Sequence, residues 1–323
     1  MLVETLIFII GVIIVLFLAN IIIKNSIELA KHFGLSGTFI GLTVLSIGTS
    51  IPEIMTHIIG SINILKDPSQ MNTLSSLLIG TNIGSDMFQQ NFVLGLVGIV
   101  GTVIVVRKNL FPEMGALIWA SALVWIFSLG GFISKTEGAI LLLAYLGYLF
   151  FLKTENINEE FKADNHLTKG QVVWSFLFVF ICFILVGFVS DMVLDASIIL
   201  VSALPISASF FGIILLGVST ALPELTTSLM AVLKKDQGMS AGILIGSNIT
   251  NPLFGIGLGA LISGYAIPDV VVFYDLPFKI ATAFIIYYFL WKKEGINKLH
   301  GAILISLYLV YLFFRLQLFP FDF

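Results

Sequence analysis

The chain has 323 residues, 58% hydrophobic and 11% charged, where soluble domains average roughly 25% charged. A mean hydropathy of +1.06 excludes a soluble fold, because too few charges exist to cover so much apolar surface. The net charge of −3 says little by itself, but no basic stripe suits a nucleic-acid partner.

A membrane helix needs roughly 20 mostly apolar residues. That rule predicts ten spans, at about 2–24, 36–65, 72–104, 111–131, 137–152, 171–190, 205–233, 238–263, 272–291 and 299–317. The fold class expected is an all-α polytopic membrane protein. The first run, Leu2 to Ile23, lacks a basic leader and a small-residue cleavage site, so it is read as a span. Asp191, Asp195 and Pro205 interrupt the apolar pattern after the sixth span and place it near an outer mouth. Cys182 is the sole cysteine, so no intramolecular disulfide is possible; it is read as lipid-facing filler.

With ten spans, the odd-to-even loops hold Lys24, Lys31, Arg107, Lys108, Lys153, Lys162, Lys169, Lys234, Lys235, Lys292, Lys293 and Lys298. The opposite loops and the termini hold Lys66, Lys135, Lys279 and Arg315. The richer side is cytoplasmic by the positive-inside rule. A multi-pass cell-membrane protein with both termini outside is therefore expected. The hydrophilic stretch KTENINEEFKADNHLTKG at 153–170 reads as a cytoplasmic linker between halves 1–152 and 171–323.

The halves repeat. GLTVLSIGTSIPE at 41–53 matches GIILLGVSTALPE at 212–224 with an offset of 171, and IGTNIGSDMFQ at 79–89 matches AGILIGSNITN at 241–251 with an offset of 162. Five spans per half invert the second relative to the first, giving two inverted five-helix repeats, a plan typical of secondary transporters. Glu53 and Glu224 fall at the same point of each repeat, deep in apolar helices. A charge at the bilayer centre costs at least ~2.5 kcal/mol, so each marks a functional position. Their segments contain no Lys or Arg, so bound ions or protons must supply the missing positive charge.

Oxygen donors surround them in sequence. Thr49 and Thr220 precede the glutamates by four residues, on the same helix face. Pro52 and Pro223 lack an N–H, which frees the carbonyls of Gly48 and Ser219 and loosens those near Ser46 and Gly217. Ser85 and Ser247 add hydroxyls; Gln89 and Asn251 add amide oxygens four residues on. Such hard ligands suit Ca2+. Gly80, Gly84, Gly242 and Gly246 permit close helix approach. Two readings of Asp86 stand side by side, a third titrating carboxylate in the cavity or a cap at a helix break. His57 is read as a partly solvated group near a helix end.

GTSIPE at 48–53 and STALPE at 219–224, each followed by IGS, resemble the alpha repeats of the cation/calcium antiporter superfamily, most closely prokaryotic sodium/calcium exchangers. The resemblance implies eight core helices around four ion sites, with spans one and six sliding across them as gates. It implies a calcium site of Glu53, Glu224, Thr49 and Thr220. It assigns sodium to Ser50, Ser85, Ser247 and the carbonyls of Ser46 and Gly217, and leaves Gln89 and Asn251 at the remaining polar positions. Ala221 stands where the family has a second serine, Gln89 replaces an Asn, and Asn251 stands at an often acidic position. The expected activity is Ca2+/Na+ antiport by alternating access, with H+ as the alternative coupling ion and a cation channel less favoured. Partners are inorganic cations and lipid. No cofactor beyond transported Ca2+ and Na+ (or H+) is expected. No HExxH motif and no Ser-His pair indicates an enzyme.

Overall fold

A computed structural model describes residues 2–32, 46–101, 103–104, 107–156, 167–233, 237–293, 295–319 and 321–322. Among these residues the chain is helical almost throughout. Seven helices are long and apolar enough to cross a bilayer, and an eighth span forms if Ala208–Thr220 and Leu222–Leu233, bent by 44°, are taken together. The runs 46–66 and 71–100 are also helical but polar. Their side chains are largely buried inside the bundle, so lipid-like hydropathy is not required of them. The motif start, 41–45, lies outside the described residues, as does 157–166 of the expected linker.

The two longest helices, Leu2–His32 and Lys169–Ala203, pack along one another. Val15, Leu18 and Ile22 meet Cys182 and Val186, and Phe8 joins Val193, Ala196 and Leu200. Cys182 is thus a buried packing residue, not lipid-facing filler: its small side chain lies on the seam, while Trp174 and Phe188 face outward, each 72% exposed. A capping box starts the second of these helices, with Thr168 and Gln171 satisfying each other's backbone N–H groups.

The sixth helix also runs further than expected, 35 residues to Ala203. Asp191 and Asp195 do not break it because neither carboxylate is buried without a partner. Asp191 accepts a 2.7 Å bond from Asn63 Nδ2, and Asp195 is exposed. At 1.5 Å per residue this helix is about 52 Å long, well beyond a ~30 Å hydrocarbon core.

At the centre, Met71–Met87 lies against 208–217 almost backbone to backbone. A Cβ on Gly212 would sit 2.5 Å from the Leu77 carbonyl oxygen, and one on Gly217 would sit 2.6 Å from Ser85 N. Cβ atoms on Gly80 and Gly84 would run into the backbone of Ser209 and Ile213. Small residues on both partners create this approach. Outside the helices, Asp67 caps the turn into Met71–Met87, accepting from Ser69 Oγ (2.6 Å), Ser69 N (3.2 Å) and Gln70 Nε2 (2.8 Å). The bonds from Ser69 and then Gln70 hold its carboxyl below the usual range.

Among the described residues, extended structure is confined to two antiparallel pairs. Val103–Ile104 pairs with Gly295–Ile296, and Phe132–Ile133 with Tyr265–Ala266. The first pair of residues recurs at an offset of 162 (265 − 103), and the third at 163 (295 − 132). Each strand therefore pairs with the counterpart of the other pair's member. The wide turns Phe88–Val93 and Asn251–Ile256 likewise recur at 163 (251 − 88).

Gly84→Ala is expected to cost at least about 1–3 kcal/mol through overpacking, because the atoms it meets are backbone and cannot rotate away. Gly147→Ala, with open space around it, should leave thermal stability in detergent unchanged or raised. Equal melting temperatures for the two variants would contradict this packing.

Candidate functional site

Both motif helices break at equivalent residues. Ser46–Thr49 and Ile51–Lys66 meet at Ser50, with φ −81 and ψ 4. Val218–Thr220 and Leu222–Leu233 meet at Ala221, with φ −82 and ψ 0. This bridge conformation suits the missing N–H of the following proline. Glu53 and Glu224 consequently lie in the first turn of a new helix, where unpaired N–H groups and the macrodipole favour negative charge.

The structure brings the two glutamates together. Both are 0% exposed, and each carboxylate lies within electrostatic reach of the other. Ser85 Oγ donates to Glu53 Oε1 at 2.7 Å. Thr220 also stands beside Glu53, and Thr49 and Ser247 stand beside Glu224. Their geometry is loose enough that Glu53 Oε2 and both oxygens of Glu224 have no well-formed hydrogen bond. Ser50 Oγ is a further buried oxygen without a partner. A buried polar atom normally finds one, so these oxygens mark a place built for something other than protein contacts.

The remaining predicted residues line the same place. Thr49 Oγ1 lies 3.4 Å from Ser247 Oγ. The Ser46 carbonyl accepts from Ser50 N (3.2 Å) and Thr49 Oγ1 (3.3 Å). The Gly217 carbonyl accepts from Ala221 N (3.1 Å) and Thr220 Oγ1 (3.2 Å). Each of these carbonyls is thus already doubly engaged. Gln89 Nε2 donates to Ser85 Oγ at 2.9 Å, and its Oε1 accepts from Asn248 Nδ2 at 3.3 Å. Asn251 Nδ2 donates to Asp86 Oδ1 at 2.9 Å, leaving its own Oδ1 without a partner.

Asp86 is not a helix cap, since its partners are the side chains of Asn251 and Lys279. It forms a buried, hydrogen-bonded ion pair with Lys279. Lys279 and Arg315, assigned above to an outer loop and a terminus, are instead 1% and 0% exposed within helices. Their partner carboxylates, Asp86 and Asp275, make burial tolerable, and neither partner is visible from a local apolar window. His57 is likewise fully buried rather than partly solvated. Its Nδ1 lies 2.9 Å from Tyr265 OH and its Nε2 lies 3.2 Å from Asn82 Nδ2. Ser61 Oγ lies 2.7 Å from the same Tyr265 hydroxyl, and Asn82 Nδ2 also donates to the Asn251 carbonyl at 2.9 Å, which ties this cluster to the site.

Among the described residues no group of three or more His, Cys, Asp or Glu converges as a resident metal centre. The arrangement holds two buried carboxylates beside hydroxyls and amides, an oxygen-rich set of the kind hard cations take.

Comparisons with known proteins agree. The family described as "Sodium/calcium exchanger protein" matches residues 3–154 and 174–317. The sodium/calcium exchanger MaX1 of Methanosarcina acetivorans is 25% identical, over 96% of this chain and 97% of its own. The inner membrane protein YrbG of Escherichia coli is 28% identical, over 91% and 90%. The solved structure of the sodium-calcium exchanger NCX_Mj, soaked with Na+ and Ca2+, superposes with a TM-score of 0.66 at 26% identity, covering 95% of this chain and 97% of that one.

The second ion pair, Arg315 with Asp275, joins two helices near the C-terminus. Arg315 Nε donates to Asp275 Oδ1 at 3.1 Å, Tyr311 OH donates to the same oxygen at 2.9 Å, and Arg315 also reaches Ser209 Oγ. Asp322 in turn accepts from Ser209 N at 2.9 Å. Arg315→Met should destabilise by about 3–5 kcal/mol, the cost of stranding a buried charge, and adding Asp275→Asn should recover most of it. Thermal unfolding in detergent measures both; a double variant no more stable than the single would refute the pairing as the cause.

Proposed function

Belonging as it does to the sodium/calcium exchanger protein family, this chain, we propose, is a secondary antiporter that exchanges Ca2+ for Na+ by alternating access. The observation that carries this reading is the pair Glu53 and Glu224, fully buried and within electrostatic reach of each other, with three carboxylate oxygens lacking a well-formed hydrogen bond. The four carboxylate oxygens and the hydroxyls of Thr49 and Thr220 offer Ca2+ six of the 6–8 oxygens it takes. Na+ would draw on the hydroxyls of Ser50, Ser85 and Ser247 and on the Ser46 and Gly217 carbonyls once their present bonds loosen. Gln89 and Asn251 orient this ring. Both ions depend on the same two charges, so binding one excludes the other, which makes transport an exchange.

Ten spans in two inverted halves, 1–152 and 171–323 joined by a linker at 153–170, remain the architecture we favour. Its support is the recurrence of breaks, wide turns and strand pairs at near-constant offsets. An outward position for both termini gains from the burial of Lys279 and Arg315. Removing them from the basic-poor side leaves 12 loop cations against 2 (4 − 2). The paired helices Leu2–His32 and Lys169–Ala203 are the candidates for gating. They pack on each other through aliphatic side chains, a contact that tolerates sliding better than the glycine-locked centre.

Glu53→Gln and Glu224→Gln should each abolish 45Ca2+ uptake into proteoliposomes, with the protein still folded. An imposed Na+ gradient, at equal pH, should drive the flux. Drive by a pH gradient alone would establish H+ as the coupling ion, and downhill flux without any trans ion would mean a channel. Ala221 is fully buried at the broken helix, so Ala221→Ser should restore a hydroxyl there and lower the half-saturating Na+ concentration; no change would count against Na+ binding at that point.

A further inference from the structure

Two polar contacts cross the site in matching fashion. Asp86 meets Asn251, and Asn248 meets Gln89. An offset of 162 turns one into the other (248 − 86 and 251 − 89). The correspondence is broken in charge alone. Asp86 of the first half stands where the second carries Asn248, and Lys279 of the second half stands where an offset of 163 gives Ala116 in the first. The acid and the base thus come from opposite halves, and they meet.

Their position matters. Asp86 follows Ser85, the donor to Glu53, and its Oδ1 accepts from Asn251 of the opposite half at 2.9 Å. Lys279 arrives from the neighbouring helix, Leu276–Lys293. That helix is anchored one turn beyond Asp86 by Gln90 Nε2, which donates to the Lys279 carbonyl at 2.8 Å and to Thr282 Oγ1 at 2.5 Å. Neither glutamate is reached by the lysine; its ammonium is engaged by Asp86.

We propose that Lys279 is a tethered cation: its ammonium holds the place at Asp86 that a diffusible monovalent ion would otherwise fill, and so fixes how many Na+ ions the site exchanges for each Ca2+. Without it, three carboxylates would share one buried site, which one Ca2+ would occupy alone but which Na+ would neutralise only with one ion more than the two glutamates need. With it, only Glu53 and Glu224 remain for travelling ions. Lysine suits the task as a compact point charge on a flexible stem. The inference rests on the reading of the site as a Ca2+/Na+ exchanger.

The coupling ratio tests it, read as the Na+ gradient and membrane potential at which net 45Ca2+ flux vanishes in proteoliposomes. Lys279→Met should raise the ratio by one Na+ per Ca2+, and Lys279→Met with Asp86→Asn should return it to that of the unaltered protein. Asp86→Asn alone leaves an unpaired ammonium beside the site, and should raise the half-saturating concentrations of both Ca2+ and Na+ by about tenfold or more. A pair serving only the fold predicts no change of ratio. Folded Lys279→Met protein with an unaltered ratio, or a double variant with a changed one, would overturn the proposal. If Lys279→Met yields no folded protein, unaltered half-saturation in Asp86→Asn overturns it instead. Failure of the unaltered protein to couple Ca2+ flux to Na+ would instead remove the exchange reading beneath it.

Discussion

Two carboxylates that face each other where water is scarce set the terms for everything around them. Each would be driven to shed its charge or to find a cation. The chain gives them helix N-termini, threonine and serine hydroxyls, and no basic side chain of their own. That leaves them partly satisfied, stable enough to exist and unsatisfied enough to bind. A lysine placed against either glutamate would stabilise the protein and end its usefulness. The one lysine at this depth among the described residues is directed to Asp86 instead.

Holding such groups in register requires a rigid frame. The glycine contacts between Met71–Met87 and 208–217 bring two backbones together without intervening side chains. Ser85 is carried on one of these elements, and the other runs on into the break at Ala221 just before Glu224. Wide turns at Phe88–Val93 and Asn251–Ile256 rotate Gln89 and Asn251 into the ring. Such π-type turns inside helices commonly mark functional positions, because they cost stability that a plain helix would keep.

Much of this is legible in the sequence because it is local or periodic. Glu53 and Glu224 are recognisable from their depth and from their matched Pro-Glu contexts, and the glycines from their spacing. What escapes is what depends on pairing across the fold. Lys279 and Arg315 look like span-end cations until their partners, 193 and 40 residues away, are known. His57 looks half-solvated until Tyr265, 208 residues on, closes over it. The length of Lys169–Ala203 is missed for a related reason: an aspartate in a hydropathy window counts as a break, although on a helix edge it only needs a donor such as Asn63.

The short strand pairs carry a consequence for how this molecule can change over time. Their cross-links are made by peptide groups, so Phe132–Ile133 and Tyr265–Ala266 stay joined whatever side chains they bear, and so do Val103–Ile104 and Gly295–Ile296. A stitch indifferent to residue identity lets either half drift in sequence without coming apart from the other. Such latitude lets an acid from one half meet a base from the other, so that the halves differ in charge while the fold keeps its shape.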